Sequence, residues 1–481
     1  MKKLRWFDHI TINIYWLGLN MASGSLTPII LPFLVVLFVG EAVKGTALGA
    51  LRGAGLTIAI LVQPAAGLLS DRSKLHWGRR RPYIFLGTML NLLFLALIGL
   101  SGSYWLLFAS VLLLQFSSNI AHGALQGLIP DLVPEEQRGR ASGVKALMEL
   151  LPIVLTAFTT AKLVGAGKIW AALLLVMGSL LLTMLITLFF VREEPLTEEV
   201  KEPLSPRLVR IVLLTLIFLV VTAVAGGVVG LVGKLFEGMG VVQLVAVGLA
   251  GLAAMAGAII LGVWWSARVG IGEGARKYPS FTWWVVNRLL YLAAVGSIQS
   301  FALYFLQDVL HVPNAPAAVG NLMMIVGIFT LLAALPSGWL ADRFGRKPLV
   351  ALAGVVGALG TFMLFLSHTM PMVTVSGIII GVSAGVFMTT NWALGMDLVP
   401  PEEAGRYLGV SNLAGAGAGI VGAGIGGPMA DFFNVYQKGL GYLVIFAIYG
   451  ALFLLSVVTL LKVRPCSCTP GQLPTLGEEG A

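Results

Sequence analysis

The sequence predicts an all-α membrane protein with fourteen transmembrane helices, arranged as two six-helix bundles with two additional helices between them. Three observations support this fold class. Of the 481 residues, 58% are hydrophobic and 11% are charged, whereas a soluble domain carries about 25% charged residues. Apolar runs of about 20 residues, the length that crosses a bilayer, recur along the chain. Two charged motifs also occur twice, in the same order.

Charged residues, prolines and glycines divide the chain into fourteen candidate spans. The weakest division separates the third span from the fourth, where only "SGSY" intervenes. The predicted spans are 11–39, 45–69, 83–101, 104–129, 141–163, 169–191, 208–233, 240–266, 282–309, 317–341, 349–369, 372–396, 407–430 and 440–461.

The distribution of Lys and Arg predicts the orientation. With the N-terminus inside, the inner loops and both termini hold 23 of these residues and the opposite loops hold five. Lys and Arg crowd cytoplasmic loops in membrane proteins. We therefore expect a multi-pass protein of the cytoplasmic membrane with both termini in the cytoplasm. The basic stretch at 70–82 is then a cytoplasmic loop and not a nucleic-acid site.

The sequence offers little for catalysis or metal binding. The two cysteines, Cys466 and Cys468, both lie in the polar tail, so they cannot form a disulfide framework within the fold. The five histidines lack metal-ligand spacing, and no nucleophile–base pair or phosphate loop is present. We expect no enzymatic activity, no metal and no cofactor.

Two repeated motifs predict a duplicated chain. "GLLSDRSKLHWGRRRP" begins at Gly67 and "GWLADRFGRKP" at Gly338, while "PDLVPEEQRGR" at 130–140 matches "MDLVPPEEAGR" at 396–406. We expect bundles at 1–195 and 282–464, related by an axis along the membrane normal. Between them, 196–281 would hold a linker and the two additional helices, and 465–481 a cytoplasmic tail.

The two additional spans contain no deeply placed acid or base. Their spacing Gly226-x-x-x-Gly230 favours close helix packing. This predicts a structural role for them at the periphery of the protein.

The motif Gly-x-x-x-Asp-Arg-x-Gly-Arg-Arg/Lys between the second and third spans of each half resembles the signature of the major facilitator superfamily. Fourteen spans with a central pair are similar to its larger members. More narrowly, "QPAAGLLSDRSKLHWGRRRPYI" (63–84) and "SLTPIILP" (25–32) resemble the sucrose–proton symporters of plants and their bacterial and animal relatives. The resemblance implies a carrier that works as a monomer in the lipid bilayer, binds a small-molecule substrate and uses protons as a candidate coupling ion.

The resemblance also implies a latch at the cytoplasmic side. Asp71 would contact a helix N-terminus and an Arg of the opposite bundle when that side is closed, and Asp342 occupies the equivalent place. An acid at a helix C-terminus needs such a partner because the helix dipole disfavours it. In the alternative, these charges only orient the chain. The predicted gating residues are Gly67, Asp71, Arg72, Gly78, Arg79, Arg80, Glu136, Arg140, Gly338, Asp342, Arg343, Gly345, Arg346, Glu402 and Arg406.

Polar side chains inside the spans are candidates for substrate binding, because they cost free energy in the bilayer. They follow one helical face on the first and fourth spans, and superfamily members use these helices of each half to line the cavity. Aromatic rings and amides with few charges suit a neutral, hydroxyl-rich ligand; alternatively, these residues bond between helices. The candidates are Asn13, Trp16, Asn20, Ser23, Gln115, Asn119, His122, Gln126, Asn287, Tyr291, Gln299, Asn391 and Trp392.

Proton coupling has weaker support. The plant symporters carry an Asp in the fourth span, and here that place holds Gln115, Asn119 or Gln126, depending on the alignment. Glu149 is the best remaining acid, although Lys145, one turn earlier, offers it an ion pair. Arg52 is a candidate partner for substrate or for Glu41.

The leading hypothesis is a secondary carrier for a neutral sugar or glycoside that works by alternating access. One alternative is an exporter of amphipathic compounds. Another is a receptor or assembly factor that binds its ligand without moving it. The substrate, the direction of transport and the coupling ion stay open at this point.

Overall fold

The computed structural model describes residues 4–193, 205–272, 279–398 and 404–464, and these residues are almost entirely helical. The predicted tail, with Cys466 and Cys468, lies outside them. In chain order the helices are α1 (Trp6–Ser25), α2 (Leu31–Val39), α3 (Lys44–Asp71), α4 (Arg81–Gly99), α5 (Tyr104–Leu125), α6 (Leu128–Leu132), α7 (Arg138–Phe158), α8 (Thr160–Gly165), α9 (Ile169–Phe190), α10 (Ser205–Leu235), α11 (Val241–Ile271), α12 (Pro279–Asp308), α13 (Ala315–Phe344), α14 (Arg346–Phe365), α15 (Met370–Met396), α16 (Ala404–Tyr436) and α17 (Leu440–Thr459).

The spans follow the hydropathy pattern. Within the described ranges, thirteen helical segments are long and apolar enough to cross a membrane, and α16 occupies the place of the remaining predicted span. The weak division between the third and fourth spans is confirmed. There, α4 ends at Gly99 and α5 begins at Tyr104, with the Ser103 hydroxyl accepting the N–H of Leu106 at 3.3 Å.

The first span is not one regular helix, in contrast to the uninterrupted span predicted over 11–39. A π-helical turn, Leu26–Ile30, separates α1 from α2. Pro28 and Pro32 each lack the N–H donor that a regular helix requires, so the backbone widens at this point. Such turns are frequent at functional sites.

The same five pairs of helices pack in both halves. In the first half α3–α5, α4–α5, α1–α7, α1–α9 and α4–α9 are in contact; in the second half these become α13–α15, α14–α15, α12–α16, α12–α17 and α14–α17. Between the halves, α3 lies along α16, and α13 lies against α7 and α8. Each half is therefore a unit with the same internal order.

The two additional helices, α10 and α11, pack on each other and against α16, with further contacts from α10 to α3 and from α11 to α12. The predicted close approach at Gly226 and Gly230 is wrong, because a Cβ at either position would meet no atom within 4 Å. The tight contacts lie instead at Gly262 and Gly417, where the ring of Phe218 fills the space of a missing side chain.

The helices run between two ends. The inner end holds Trp6, Asp71 and Arg81, and the outer end holds Lys44 and Asp308. The sequence predicts that the inner end is cytoplasmic.

Candidate transport site between the two halves

A group of charges, two of them buried, joins the two halves at the outer end. Lys44 begins α3 and Asp308 ends α12; they are 1% and 4% exposed, and their charged atoms are 2.6 Å apart. Lys44 also reaches Glu41 at 2.7 Å. Lys438 lies 3.5 Å from both Glu41 and Asp308. Each of Lys44 and Asp308 opposes the dipole of its own helix, so each depends on its partner in the other half.

Asp431 of α16 adds a backbone contact across the same gap. The N–H of Gly45 donates to its Oδ1 at 2.9 Å, and the N–H of Thr46 donates to its Oδ2 at 2.6 Å. These N–H groups belong to the first turn of α3, which has no intrahelical acceptors for them. Asp431 thus caps a helix of the opposite half. We call Glu41, Lys44, Asp308, Asp431 and Lys438 the outer clamp.

Charge pairing sets the ionisation of the two exposed members of the outer clamp. Burial alone raises the pKa of Glu41, but Lys44 and Lys438 outweigh it and hold that pKa below its ordinary value. Asp308 and Glu41 raise the pKa of Lys438. Both groups are therefore charged around neutral pH.

Small residues bring the backbones of α3 and α16 into contact below the clamp. A Cβ at Gly49 would collide with the carbonyl oxygen of Ala423, and one at Gly45 would collide with Asp431 and Gly427. Such approach needs residues without side chains. Nearby, the Tyr304 hydroxyl donates to the carbonyl of Pro32 at 3.0 Å. The outer end is therefore closed by charges and by direct backbone packing.

The outer clamp was not predicted from the sequence. Lys44 and Lys438 were expected to be loop charges and Arg52 to be a candidate partner of Glu41, but Glu41 instead pairs with the two lysines. Arg52 lies two turns deeper and donates to the carbonyl of Gly296 at 3.5 Å. Asp308 at a helix C-terminus was the signal that could have revealed the clamp.

The motif charges at the inner end pair within each half. Arg80 contacts Asp71 and lies 2.9 Å from Asp131, which Arg79 also approaches at 2.5 Å. In the second half Arg346 contacts Asp397. The predicted contact from Asp71 to an Arg of the opposite half is absent from the described residues of this conformation. It stays a prediction for a conformation closed at the inner end.

The other predicted gating residues have varied surroundings. Gly78 and Gly345 have φ of +108° and +89°, which favours glycine. Arg343 lies over the ring of Trp339 at 5.6 Å. Six further gating residues lie at or near the inner end and are exposed or partly exposed: Gly67, Arg72, Glu136, Arg140, Gly338 and Asp342. Glu402 and the side chain of Arg406 lie outside the described residues.

Glu193 is a further inner-end residue that the sequence analysis did not single out. It accepts the N–H of Arg80 at 2.8 Å and the N–H of Arg81 at 3.2 Å, at the start of α4. Burial raises its pKa and outweighs the effect of these hydrogen bonds.

A cavity of about 440 Å³ lies between the halves, inward of the outer clamp. Segments of α1, the π turn, α7, α12, α13, α14, α15 and α17 line it. Its lining is mostly apolar, and its polar side chains are Ser23, Thr27, Thr156, Gln299 and Thr330. Of the predicted substrate residues, Ser23 and Gln299 are in this lining. We call this space the chamber.

Four predicted substrate residues instead bond to neighbouring helices. Asn13 donates to the carbonyl of Ala141 at 3.3 Å, and Asn287 donates to that of Ser456 at 2.8 Å. Asn391 donates to Asn287 at 2.8 Å, and Tyr291 bonds Ser383 at 2.6 Å. All four are buried, and buried polar groups need internal partners. In this conformation they bond between helices, which is the alternative left open by the sequence, and their contact with substrate stays a prediction.

The remaining predicted residues lie inward of the chamber. Trp16 precedes the chamber residue Ser23 by seven positions on α1, which is about 10 Å. Its ring packs edge-on against His122 at 5.1 Å, and Lys145 Nζ lies 4.2 Å from its centre. Lys145 also pairs with Glu149 at 3.5 Å.

Amides continue this polar region on α5 and α1. Asn119 donates to the carbonyl of Gln115 at 2.7 Å, and Gln126 lies 3.5 Å from His122. Asn20 donates to the carbonyl of Trp16 at 2.9 Å. These hydrogen bonds lie within each side chain's own helix and do not join helices. They leave some of the amide donors and acceptors unused.

The second half contributes Arg288 and Trp392 to the same level. Arg288 lies 4.8 Å from the ring centre of Trp392 and 5.8 Å from that of Trp284. We call Trp16, His122, Lys145, Glu149, Arg288 and Trp392 the polar belt. Its two tryptophans each have a cation over the ring, Lys145 over Trp16 and Arg288 over Trp392.

The described residues contain no group of three or more His, Cys, Asp or Glu side chains that could hold a metal ion. The chemistry of the site is thus that of a chamber with an apolar wall, a charged and aromatic belt on its inner side, and a closed outer end.

Comparison with known proteins identifies the family. The family model described as "Major Facilitator Superfamily" matches residues 15–304 and 286–471. The chain belongs to the major facilitator superfamily. It is therefore a multi-pass membrane protein of this superfamily, with the all-α fold that the sequence predicted.

Curated relatives match short parts of the chain. The minor myo-inositol transporter IolF of Bacillus subtilis is 28% identical over 138 residues, which is 28% of this chain and 30% of that protein. The multidrug resistance protein fnx1 of Schizosaccharomyces pombe is 31% identical over 20% of this chain and 18% of its own. The sucrose transport protein SUT1 of Oryza sativa is 34% identical over 18% and 20%. The chain thus spans less than a third of the length of these relatives.

A solved structure resembles the whole chain. A crystal structure of the nucleoside transporter NupG has a TM-score of 0.65 at 12% identity and covers 95% of this chain and 98% of its own. At this identity the likeness shows the fold alone.

Proposed function

We propose that this transporter moves a small amphipathic solute by alternating access as a secondary active carrier. The observation that carries the proposal is the position of the chamber, which lies between the halves and reaches Phe305 and Leu306 of α12, within one turn of Asp308 of the outer clamp. A binding space enclosed at one end, between two rigid units, is the arrangement that rocking of the halves requires.

The lining of the chamber favours an amphipathic substrate. Most of its wall is apolar, with five hydroxyl or amide side chains, as is typical of a site that buries an apolar body and orients it with few polar contacts. The polar belt, one to two turns inward, would receive the polar head.

A neutral sugar or glycoside is the second candidate. The amides of Asn20, Gln115, Asn119 and Gln126 support it, because they bond within their own helices and have donors or acceptors left for hydroxyls. Two relatives, named for myo-inositol and sucrose, agree with this candidate, and fnx1, named for multidrug resistance, agrees with the first.

Transport by purified protein in proteoliposomes tests both candidates. The panel contains sucrose, myo-inositol, phenyl β-glucoside and the amphipathic dye ethidium, each measured with and without a pH gradient. We expect saturable movement of amphipathic members and little movement of sucrose or myo-inositol. Movement of the two sugars alone would favour the second candidate, and saturable binding without any movement would contradict a carrier.

The same assay tests Glu149 as the proton carrier. If it carries the proton, Glu149→Gln abolishes accumulation driven by a pH gradient and keeps the exchange of labelled for unlabelled solute. Since Glu149 lies 3.5 Å from Lys145, loss of expression in Glu149→Gln would instead indicate a structural ion pair.

A further inference from the structure

Arg288 is a cation inside the protein that has no carboxylate partner among the described residues. Of the side chains that the structure describes, no Asp or Glu oxygen lies within 4.0 Å of its guanidinium. Its Nη1 is 3.5 Å from the amide oxygen of Asn391, which is a long contact, and its buried Nε has no hydrogen-bond partner. An intramembrane charge in this condition is costly and marks a functional site.

The charged groups of the two halves differ in whether they have a partner of opposite charge. In the first half the acid of the polar belt, Glu149, already pairs with Lys145 at 3.5 Å. In the second half, Asp397, which follows Trp392 by five residues, already pairs with Arg346. The polar belt therefore contains two cations and one carboxylate, and the unbalanced positive charge is that of Arg288.

Helix geometry places Arg288 on the chamber side of α12. Val295, Gln299 and Ala302 of this helix line the chamber. Steps of 3, 4, 3 and 4 lead back from Ala302 through Gln299, Val295 and Leu292 to Arg288, all on one helical face. Arg288 is thus about 10 Å inward of Val295 along the axis. Trp392, whose ring it overlies at 4.8 Å, follows the chamber residue Met388 by one turn on α15.

We propose that Arg288 binds an anionic group of the transported solute, a carboxylate or a phosphate monoester, while the apolar body of the solute occupies the chamber. This inference rests on the proposed function and narrows its substrate class from amphipathic solutes to amphipathic anions. A planar guanidinium whose Nε–H is unpaired and whose Nη1 has only the long contact to Asn391 can donate two parallel hydrogen bonds to such a group. The ring of Trp392 holds the guanidinium in place.

Matched pairs of ligands test the inference. The probes are 2-naphthoate with 2-naphthamide, and 4-phenylbutyrate with 4-phenylbutyramide, which differ in charge and little in shape. Affinities are measured by equilibrium dialysis on the full chain in detergent. Because a charge-assisted hydrogen bond is about twice as strong as a neutral one, we expect each anion to bind about 10-fold more tightly than its amide.

Two substitutions at Arg288 and one control separate charge from structure. Arg288→Gln should reduce the anion-to-amide ratio to about one, and Arg288→Lys should retain part of the preference. Arg268→Gln is the control, since Arg268 also stacks on a tryptophan, Trp264, but lies on α11 and is exposed. It should keep the full preference.

Thermal unfolding distinguishes a binding residue from a structural one. If Arg288 is an uncompensated cation held for binding, Arg288→Gln should leave the midpoint temperature unchanged or raise it. A lower midpoint with an unchanged anion preference would mean that Arg288 only braces Trp284 and Trp392, and it would overturn the inference. Equal affinity of the wild-type protein for anions and amides would overturn it as well.

The inference and the proposed function can fail separately. If proteoliposomes move amides and anions equally well, with or without Arg288, the carrier stands and the anion site is refuted. If the anions bind through Arg288 and none is moved, the anion site stands and transport of these solutes is refuted.

Discussion

Replacement of Asp431 by Asn should open the outer end. In the native protein, two oxygens of Asp431 accept two N–H groups of the first turn of α3, at 2.9 and 2.6 Å. Asparagine offers one neutral oxygen and turns its NH₂ toward the other N–H, so one bond is lost and the remaining bond is no longer charge-assisted. The loss is about 2 kcal/mol, within the ordinary range for bonds to charged groups.

This free energy acts on the equilibrium between the closed and open outer end, because Asp431 and the N–H groups that it accepts belong to different halves. A change of about 2 kcal/mol multiplies the ratio of open to closed molecules by about 30. The fold of each half does not contain the lost contact, so we expect normal expression and thermal stability.

Spin labels measure the change directly. Val43 and Val435 lie on opposite halves at the outer end, with 49% and 82% of their surfaces exposed. Double electron–electron resonance on this labelled pair should give a longer-distance population in Asp431→Asn. Glu237→Gln, in the exposed turn between α10 and α11, is the control and should match the parent protein. Identical distance distributions for Asp431→Asn and the parent would refute the role of the outer clamp.

Three further predictions concern the same end of the protein and its orientation. Gly49→Val should also lengthen the Val43–Val435 distance, because its side chain collides with the carbonyl of Ala423; an unchanged distance would contradict direct backbone packing. The pKa of Glu41 is depressed in the closed state, so its contribution to closure is fully present above its ordinary pKa of 4.5 and is lost as the pH falls through the lower value. The labelled pair should therefore report a constant closed population from about pH 5 to pH 9. More open molecules should appear only below about pH 4. A single cysteine at Lys168 should react with an impermeant thiol reagent applied outside intact cells, and the reverse labelling pattern would show that the charge asymmetry was misassigned.

The spans could be predicted because hydropathy is a local property. An apolar run of about 20 residues predicts a helix wherever it packs, so even the short turn between α4 and α5 was placed correctly. The π turn was not predicted. Pro28 and Pro32 remove donors, but a proline within a span can also produce a kink, a break or a bulge.

The site was harder to predict because helical periodicity fixes which residues share a face and not what that face meets. Asn13 and Asn20 are seven positions apart on α1 and lie on one face. Nevertheless, Asn13 is buried against α7, where it bonds Ala141, and Asn20 lies at the level of the polar belt. The outer clamp pairs Glu41 with Lys438, which are 397 positions apart in the chain (438 − 41), and single-sequence patterns carry no information on such pairs.

The contacts of the two ends suggest how the closed states are balanced. At the outer end, charges of opposite halves pair with each other, as Lys44 does with Asp308. At the inner end, the motif charges pair within their own half, as Asp71 does with Arg80. Closing the inner end would then exchange the partner of Asp71 and would not bury an unpaired charge.

Such an exchange costs less free energy than the formation of a new buried ion pair, because the charges are already partly removed from water in their present pairs. A carrier needs a small free-energy difference between its two conformations, because both are populated only when they differ by a few kcal/mol. Opening the outer end releases Lys44, Asp308 and Asp431 to water, where charged groups regain their hydration. We therefore expect the pairing within each half to stabilise the inner-open conformation and to compete directly with any latch formed across the inner end.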